Sequence, residues 1–118
     1  MQRQILSGKI HGARVTQASV NYPGSITIDE ELLKAANIFT GEKVLIANLT
    51  NGTRIESYAM EGPAGSGVIG LNGGAAKHGK IGDSLIIMSF AVMTGEEYGK
   101  HHPKVVYVNE QNKIIPRM

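Results

Sequence analysis

Asn21-Tyr22-Pro23-Gly24-Ser25-Ile26-Thr27-Ile28-Asp29 is the stretch of this chain whose residue types and order could do chemistry. It sets a Gly-Ser peptide bond at the mouth of a short strand rich in β-branched residues. Gly24 has no Cβ, so its backbone reaches angles closed to other residues, and its carbonyl is open to attack from the C-terminal side. The Ser25 hydroxyl is the nearest attacker. An N→O acyl shift there turns the amide into an ester, and β-elimination then expels the Gly24 carboxylate and cuts the chain. Residue 25 is left as a pyruvoyl group, a ketone able to accept electrons from a bound substrate. Pro-Gly-Ser is also the composition of an ordinary turn, and these residues alone favour the turn.

The elements that must position this bond follow from the pattern of apolar residues. Ile5 to Val20 reads as one long or broken strand, and Ser25 to Ile28 as a short one. Asp29 is suited to cap a helix, with Glu30 and Glu31 favouring its N-terminal dipole, Leu32, Leu33, Ala35 and Ala36 as its apolar stripe, and Asn37 as its stop. Lys43–Thr50 and Thr53–Met60 flank Asn51-Gly52, the preferred chemistry of a two-residue type I′ hairpin turn. After a loop over residues 61–67, Val68 to Leu71 forms a short strand and Asn72-Gly73-Gly74-Ala75-Ala76 a small-residue loop. Ser84 to Met93 is the most apolar strand. Residues 94–103 read as a polar loop with a helical turn, and Lys104–Val108 and Lys113–Pro116 as a closing hairpin. Six or seven strands and so little helix predict a mainly β chain, closed into a small barrel to hide its edges.

A two-residue turn pairs Thr50 with Thr53. One face then carries Val44, Ile46, Asn48, Ile55, Ser57 and Ala59; the other carries Leu45, Ala47, Leu49, Arg54, Glu56 and Tyr58. The first suits an interior. The second, apolar with an Arg and a Tyr, suits either a subunit interface or an amphipathic surface strand. Ser57 and Tyr58 fall on opposite faces, so joint service in one site requires a twist, a bulge or a position at the rim.

Composition removes other function classes. The chain has 118 residues, enough for one domain with a modest core, and carries 42% hydrophobic and 19% charged residues. A formal charge of +2 with scattered basic residues does not point to nucleic acid. The absence of cysteine removes disulfides, thiol nucleophiles and thiolate metal sites. His11, His78, His101 and His102 do not fall at a metal-binding spacing, and Gly73-Gly74 lacks the Lys-Ser/Thr of a phosphate loop. The N-terminus lacks a signal-peptide core, and the apolar run 85–93 is half a membrane span, so a cytoplasmic location is expected, with no membrane partner.

Taken together, Lys9-Ile10-His11, Tyr22 before Gly24-Ser25, Thr50-Asn51-Gly52, Arg54 with Ser57-Tyr58, Asn72 to Ala76, and Ile81-Gly82-Asp83 follow one another as they do in the bacterial, pyruvoyl-dependent aspartate 1-decarboxylases. The resemblance runs from about residue 3 to residue 115, and the joint spacing carries it rather than any one motif. It implies a double-psi β-barrel with one or two short helices, a homotetramer with active sites between subunits, and a proenzyme that cleaves itself between Gly24 and Ser25 into 1–24 and 25–118. The implied reaction is decarboxylation of L-aspartate to β-alanine and CO₂ for pantothenate, hence coenzyme A, biosynthesis. The cofactor is a pyruvoyl group made covalently from Ser25, with neither metal nor pyridoxal phosphate.

By the same resemblance Ser25 becomes the Schiff-base-forming ketone, Tyr58 the proton donor, and Lys9, Arg54, Ser57, Asn72, Gly73, Gly74 and Ala75 the substrate-binding positions. Gly24, Ser25, Ser57 and Asn72 serve processing. The residue types agree with this assignment. Loss of CO₂ from the α-carbon pushes electrons into a conjugated imine, the role pyridoxal phosphate plays elsewhere. Aspartate brings two carboxylates, which Arg54 can grip by two hydrogen bonds and Lys9 as a point charge. Tyr58 is a phenol suited to protonating a carbanion, and Asn72 is suited to stabilising an oxyanion. The backbone N–H groups of 73–75 can approach a ligand closely. The chain departs from the family pattern at Ser57, in place of Thr, at Gly74, in place of Ala, and at Gly12, in place of Arg. Two other readings are a non-catalytic small β-barrel serving binding or assembly, and a decarboxylase of another small acidic amino acid.

Overall fold

The computed structural model describes residues 1–117. Its strands are β1 (Gln2–Arg14), β2 (Gln17–Ser19), β3 (Ser25–Asp29), β4 (Lys43–Asn48), β5 (Arg54–Gly62), β6 (Ile69–Asn72), β7 (Ser84–Thr94), β8 (Lys104–Val108) and β9 (Ile114–Ile115). Two short helices, α1 (Glu30–Ala36) and α2 (Gly95–Tyr98), and a 3₁₀ helix over Gly73–His78 complete it. Nine strands stand where six or seven were expected, and the first stretch divides into β1 and β2. The 3₁₀ helix stands where a loop was expected.

The hydrogen-bonded order is β2-β6-β3-β5-β4-β7-β1-β8-β9. That ladder is open at its ends, yet the fold closes through the chain itself. β1 pairs antiparallel with β7, and its continuation β2 pairs parallel with β6. Between them Val15 N–H donates to the Asp83 carbonyl (2.9 Å) and Thr16 N–H to the Ile69 carbonyl (2.8 Å). The path from residue 2 to residue 19 thus crosses from one flank of the sheet to the other and completes a ring with β6, β3, β5, β4 and β7. Inside it lies one apolar cluster to which Ile10, Ile26, Ile28, Ile46, Ile69 and Ile87 contribute fully buried side chains.

α1 forms as expected. The Asp29 side chain accepts from Glu31 N–H at 2.9 Å, Leu32, Leu33 and Ala36 are buried, and Asn37 stops the helix in a left-handed conformation at φ 56°. α2 is opened by a reciprocal Thr94–Glu97 capping box.

The β4–β5 connection corrects the two-residue turn. The observed register pairs Lys43 with Tyr58, Val44 with Ser57, Ile46 with Ile55 and Ala47 with Arg54, two residues from the expected pairing. Asn48 is the cause. Its side chain accepts from the N–H groups of Thr50 and Asn51 (2.8 and 3.2 Å) and donates to Asp83 Oδ2 and the His78 carbonyl (2.9 and 3.2 Å). These long-range partners hold Asn48 at 4% exposure, so the chain leaves the ladder there and loops over residues 49–52. A slip of two residues keeps every side chain on its expected face. Val44, Ile46 and Ala59 are buried on one side, while Arg54, Glu56 and Tyr58 are exposed on the other.

Candidate active site

The site grows out of the N-terminal end of β3. This strand fills the space between β5 and β6 only in part, since it pairs with β5 from Ile26–Ala59 onward and with β6 from Ser25–Asn72 onward. The stretch Ile55–Tyr58 of β5 therefore pairs with β4 on one edge and faces a gap on the other. A cavity of about 470 Å³ occupies this gap, lined by Gly24, Ile55, Glu56, Ser57, Tyr58, Asn72, Gly74, Ala75 and His78. A second, of about 290 Å³, adjoins it along Tyr22, Pro23, Ser25, Thr27, Tyr58, Met60, Glu61 and Asn72. Ser57 and Tyr58 share the first cavity without a bulge because it opens on the strand's unpaired edge, where both faces are within reach.

Ser25 is 5% exposed and Asn72 8%. Asn72 Nδ2 donates to Ser25 Oγ at 2.9 Å and to Thr27 Oγ1 at 2.9 Å. Gly73, at φ 60°, brings the start of the 3₁₀ helix onto the chain before Ser25. A Cβ at Gly73 would stand 2.8 Å from Gly24 Cα and 3.0 Å from the Tyr22 carbonyl oxygen, so only glycine permits this approach. The position of a Cβ on Gly24 meets nothing within 4 Å, which leaves the bond before Ser25 accessible from the cavity side.

A serine hydroxyl held by an amide N–H, beside a glycine carbonyl, a phenol and a row of small residues, suits acyl chemistry at the 24–25 bond and carboxylate binding afterwards. The family model described as aspartate decarboxylase matches residues 1–115. The chain belongs to the aspartate decarboxylase family. It is 52% identical to an aspartate 1-decarboxylase of Caldicellulosiruptor bescii, over 95% of this chain and 88% of that one. It is 54% identical to one of Ruminiclostridium cellulolyticum, over 97% and 89%, and 53% identical to one of Listeria welshimeri, over 97% and 90%. Among solved structures, the rationally designed mkDPBB_sym_86 protein matches with a TM-score of 0.50 at 13% identity, over 67% of this chain and 92% of that one. That likeness concerns the fold alone, a double-psi β-barrel.

Of the family positions read from the sequence, one chain brings together Gly24, Ser25, Ser57, Tyr58, Asn72, Gly73, Gly74 and Ala75. It does not bring in Lys9 or Arg54. Lys9 lies in β1 opposite Met88 and Val105, and Arg54 at the start of β5 opposite Ala47. Their rungs run Lys9–Met88–Leu45–Glu56 and Arg54–Ala47–Ile86–His11, so both side chains project from one outer face. Two strands separate β1 from β5, about 14 Å at the usual spacing.

The departures from the family pattern are accommodated. Gly12 sits at φ 89° in the bulge of β1, and Ser57 retains a hydroxyl at the cavity wall. A Cβ at Gly74 would meet open space. Thr27, Met60 and Glu61 line the site unforeseen. The alternation Ser25-Ile26-Thr27 carries a signal for Thr27, since it sets both hydroxyls on the face opposite the core. Among the described residues no group of three or more potential metal ligands converges, and no helix is long and apolar enough to cross a membrane.

Proposed function

We propose that this family member is a self-processing, pyruvoyl-dependent aspartate 1-decarboxylase that converts L-aspartate to β-alanine and CO₂ in the cytoplasm, for pantothenate and coenzyme A biosynthesis. The observation carrying this reading is the Asn72–Ser25 hydrogen bond beside the cavity between β5 and the 3₁₀ helix.

The residues at position 25 fit a prosthetic group made from that serine. Ser25 Oγ attacks the Gly24 carbonyl carbon, the C–N bond breaks, and the proton of the hydroxyl passes to the freed amine. Loss of the Cα proton expels the Gly24 carboxylate, and water then replaces the nitrogen, which departs as ammonia. Asn72 orients the hydroxyl, Gly73 lets the 3₁₀ helix approach the scissile segment closely, and Ser57 adds a hydroxyl at the cavity wall. When present, the pyruvoyl group supplies an electron-withdrawing ketone that stabilises charge as CO₂ leaves. Tyr58 then delivers a proton to the carbon that lost the carboxylate. The N–H groups of 73–75 and the Asn72 amide hold the substrate's carboxylates.

Aspartate also calls for cations, and within one chain neither Lys9 nor Arg54 lines the cavities beside Ser25. Leu45, Ala47, Ile86 and Met88 lie between them on the same face. An apolar strip flanked by two cations suits a contact with a second copy. The reading therefore takes Lys9 and Arg54 from a neighbouring subunit of a homotetramer.

A denaturing intact-mass spectrum of the purified protein tests maturation. Fragments 1–24 and 25–118 are expected, the larger lighter by one ammonia than a chain beginning with serine. A chain that stays whole in every preparation and turns over no aspartate refutes the reading. Tyr58→Phe separates the two stages: cleavage is expected to remain and turnover to fall by about a hundredfold or more. Wild-type turnover in that variant would remove Tyr58 as the proton donor.

A further inference from the structure

Thr27 has no part in the chemistry described so far, yet it shares the Asn72 amide with Ser25. The two hydrogens of Asn72 Nδ2 have separate acceptors, Ser25 Oγ and Thr27 Oγ1, each at 2.9 Å. The strand pattern makes this possible. Ser25 and Thr27 lie on the same face of β3, and Asn72 lies opposite Ser25 on β6. Gly70 lies opposite Thr27, so Asn72 reaches diagonally over a position with no side chain.

Glycines on the two neighbouring strands also fix which way Thr27 turns. A Cβ at Gly62 of β5 would stand 2.9 Å from the Thr27 methyl Cγ2, and one at Gly70 of β6 would stand 3.5 Å from Thr27 Cβ. The methyl thus occupies a slot that exists because β5 carries glycine there. With a β-branched side chain, seating the methyl sets χ1 and leaves the hydroxyl pointing at Asn72.

We propose that Thr27 is a positioning residue that holds the Asn72 carboxamide through both stages of the enzyme's life, an inference that rests on the maturation reading above. Before cleavage, Thr27 keeps one Nδ2 hydrogen occupied so that the other points at Ser25 Oγ. Conversion of Ser25 to a pyruvoyl group removes Oγ and frees that hydrogen. Thr27 still holds the carboxamide, which is then oriented for a carboxylate of aspartate.

The test compares Thr27→Val, which keeps branching and volume but removes the acceptor, with Thr27→Ser, which keeps the acceptor. Thr27→Val is expected to slow the appearance of fragment 25–118 by roughly fivefold to tenfold, the effect of losing one neutral hydrogen bond. It should raise KM for aspartate by a similar factor. Thr27→Ser should recover most of both effects. Wild-type cleavage rate and KM in Thr27→Val would overturn the proposal. So would equal impairment in the two variants, which would place the effect in methyl packing.

A second readout needs neither cleavage nor turnover. The Asn72 side-chain NH₂ protons, followed by NMR in the uncleavable Ser25→Ala chain, should exchange slowly with Thr27 present and several-fold faster in Ser25→Ala/Thr27→Val. Equal exchange in the two chains would refute the holding role. If wild-type protein fails to mature, the maturation reading falls while this comparison still decides what Thr27 does.

Discussion

β3 ends in a buried polar residue at each terminus, and the two ends behave differently. At the C-terminal end Asp29 is 1% exposed and accepts from the N–H groups of Glu31, Gly65 and Gly67 at 2.9, 3.0 and 2.8 Å. Burial alone would raise its pKa, but the Gly67, Glu31 and Gly65 N–H groups and the Lys113 charge hold the carboxyl below its ordinary value. Every donor there is backbone, and the cluster joins α1, the loop before β6 and β3 into one unit. At the N-terminal end Ser25 has a single side-chain donor, Asn72, and adjoins a cavity. Saturation by backbone makes one end a joint. Partial satisfaction beside open space suits the other end to the proposed cleavage.

The sharpest break of this comparison is Ser25→Ala. It should leave a single uncut chain in the intact-mass spectrum and abolish aspartate turnover. Asn72 keeps its bond to Thr27, so stability should fall by only about 0.5–1.5 kcal/mol in urea denaturation. Residual cleavage at 24–25 in this variant would show that the open end is not where the chemistry resides.

Asp29→Asn tests the saturated end. An amide there turns an N–H toward at least one backbone N–H, and loss of that acceptor should cost about 1–3 kcal/mol. The pH dependence has a defined sign. Because the folded-state pKa lies below the unfolded one, Asp29 contributes its stability above the ordinary carboxylate value, near 4, and loses it as pH falls through the folded value. Wild-type stability should therefore decline below about pH 4 more steeply than that of Asp29→Asn, as read by urea midpoints from pH 6 to pH 3. Parallel declines would mean that the carboxylate is not the acid-sensitive part of the joint.

Both ends of β3 were partly legible in the sequence. The alternation Ser-Ile-Thr-Ile-Asp names the strand and its two faces, and Asp29 followed by two glutamates names the helix start. What the pattern does not convey is who covers the polar face. Gly65 and Gly67 reach Asp29 from a loop that propensity describes only as polar. Asn112 reads as a turn residue, yet it is 2% exposed and bonds both the N–H and the carbonyl of Arg14 and the carbonyl of Gly67. The hairpin loop was misread for the same reason, since Asn48 answers to His78 and Asp83 rather than to its neighbours. Chemical residue types were legible as a set, but which of them line Ser25's cavity and which, like Lys9 and Arg54, lie elsewhere along the sheet depends on strand order, which local pattern does not encode.

The smallest effect is also the most discriminating, because one substitution should take opposite signs at the two ends. Gly67 serves the Asp29 joint at φ 73°, where a Cβ would stand 2.9 Å from the Gln111 carbonyl oxygen. Gly67→Ala should therefore destabilise by at least about 1–2 kcal/mol through left-handed strain, with the contact adding to it. Gly74 borders the open end, has no positive φ, and a Cβ there meets nothing within 4 Å. Gly74→Ala should instead stabilise by about 0.4–1 kcal/mol, chiefly by restricting the unfolded chain. Urea denaturation of the two variants side by side measures both signs. Loss of stability in Gly74→Ala would mean that the open wall is as tightly constrained as the joint, and the contrast between the ends of β3 would then rest on chemistry alone.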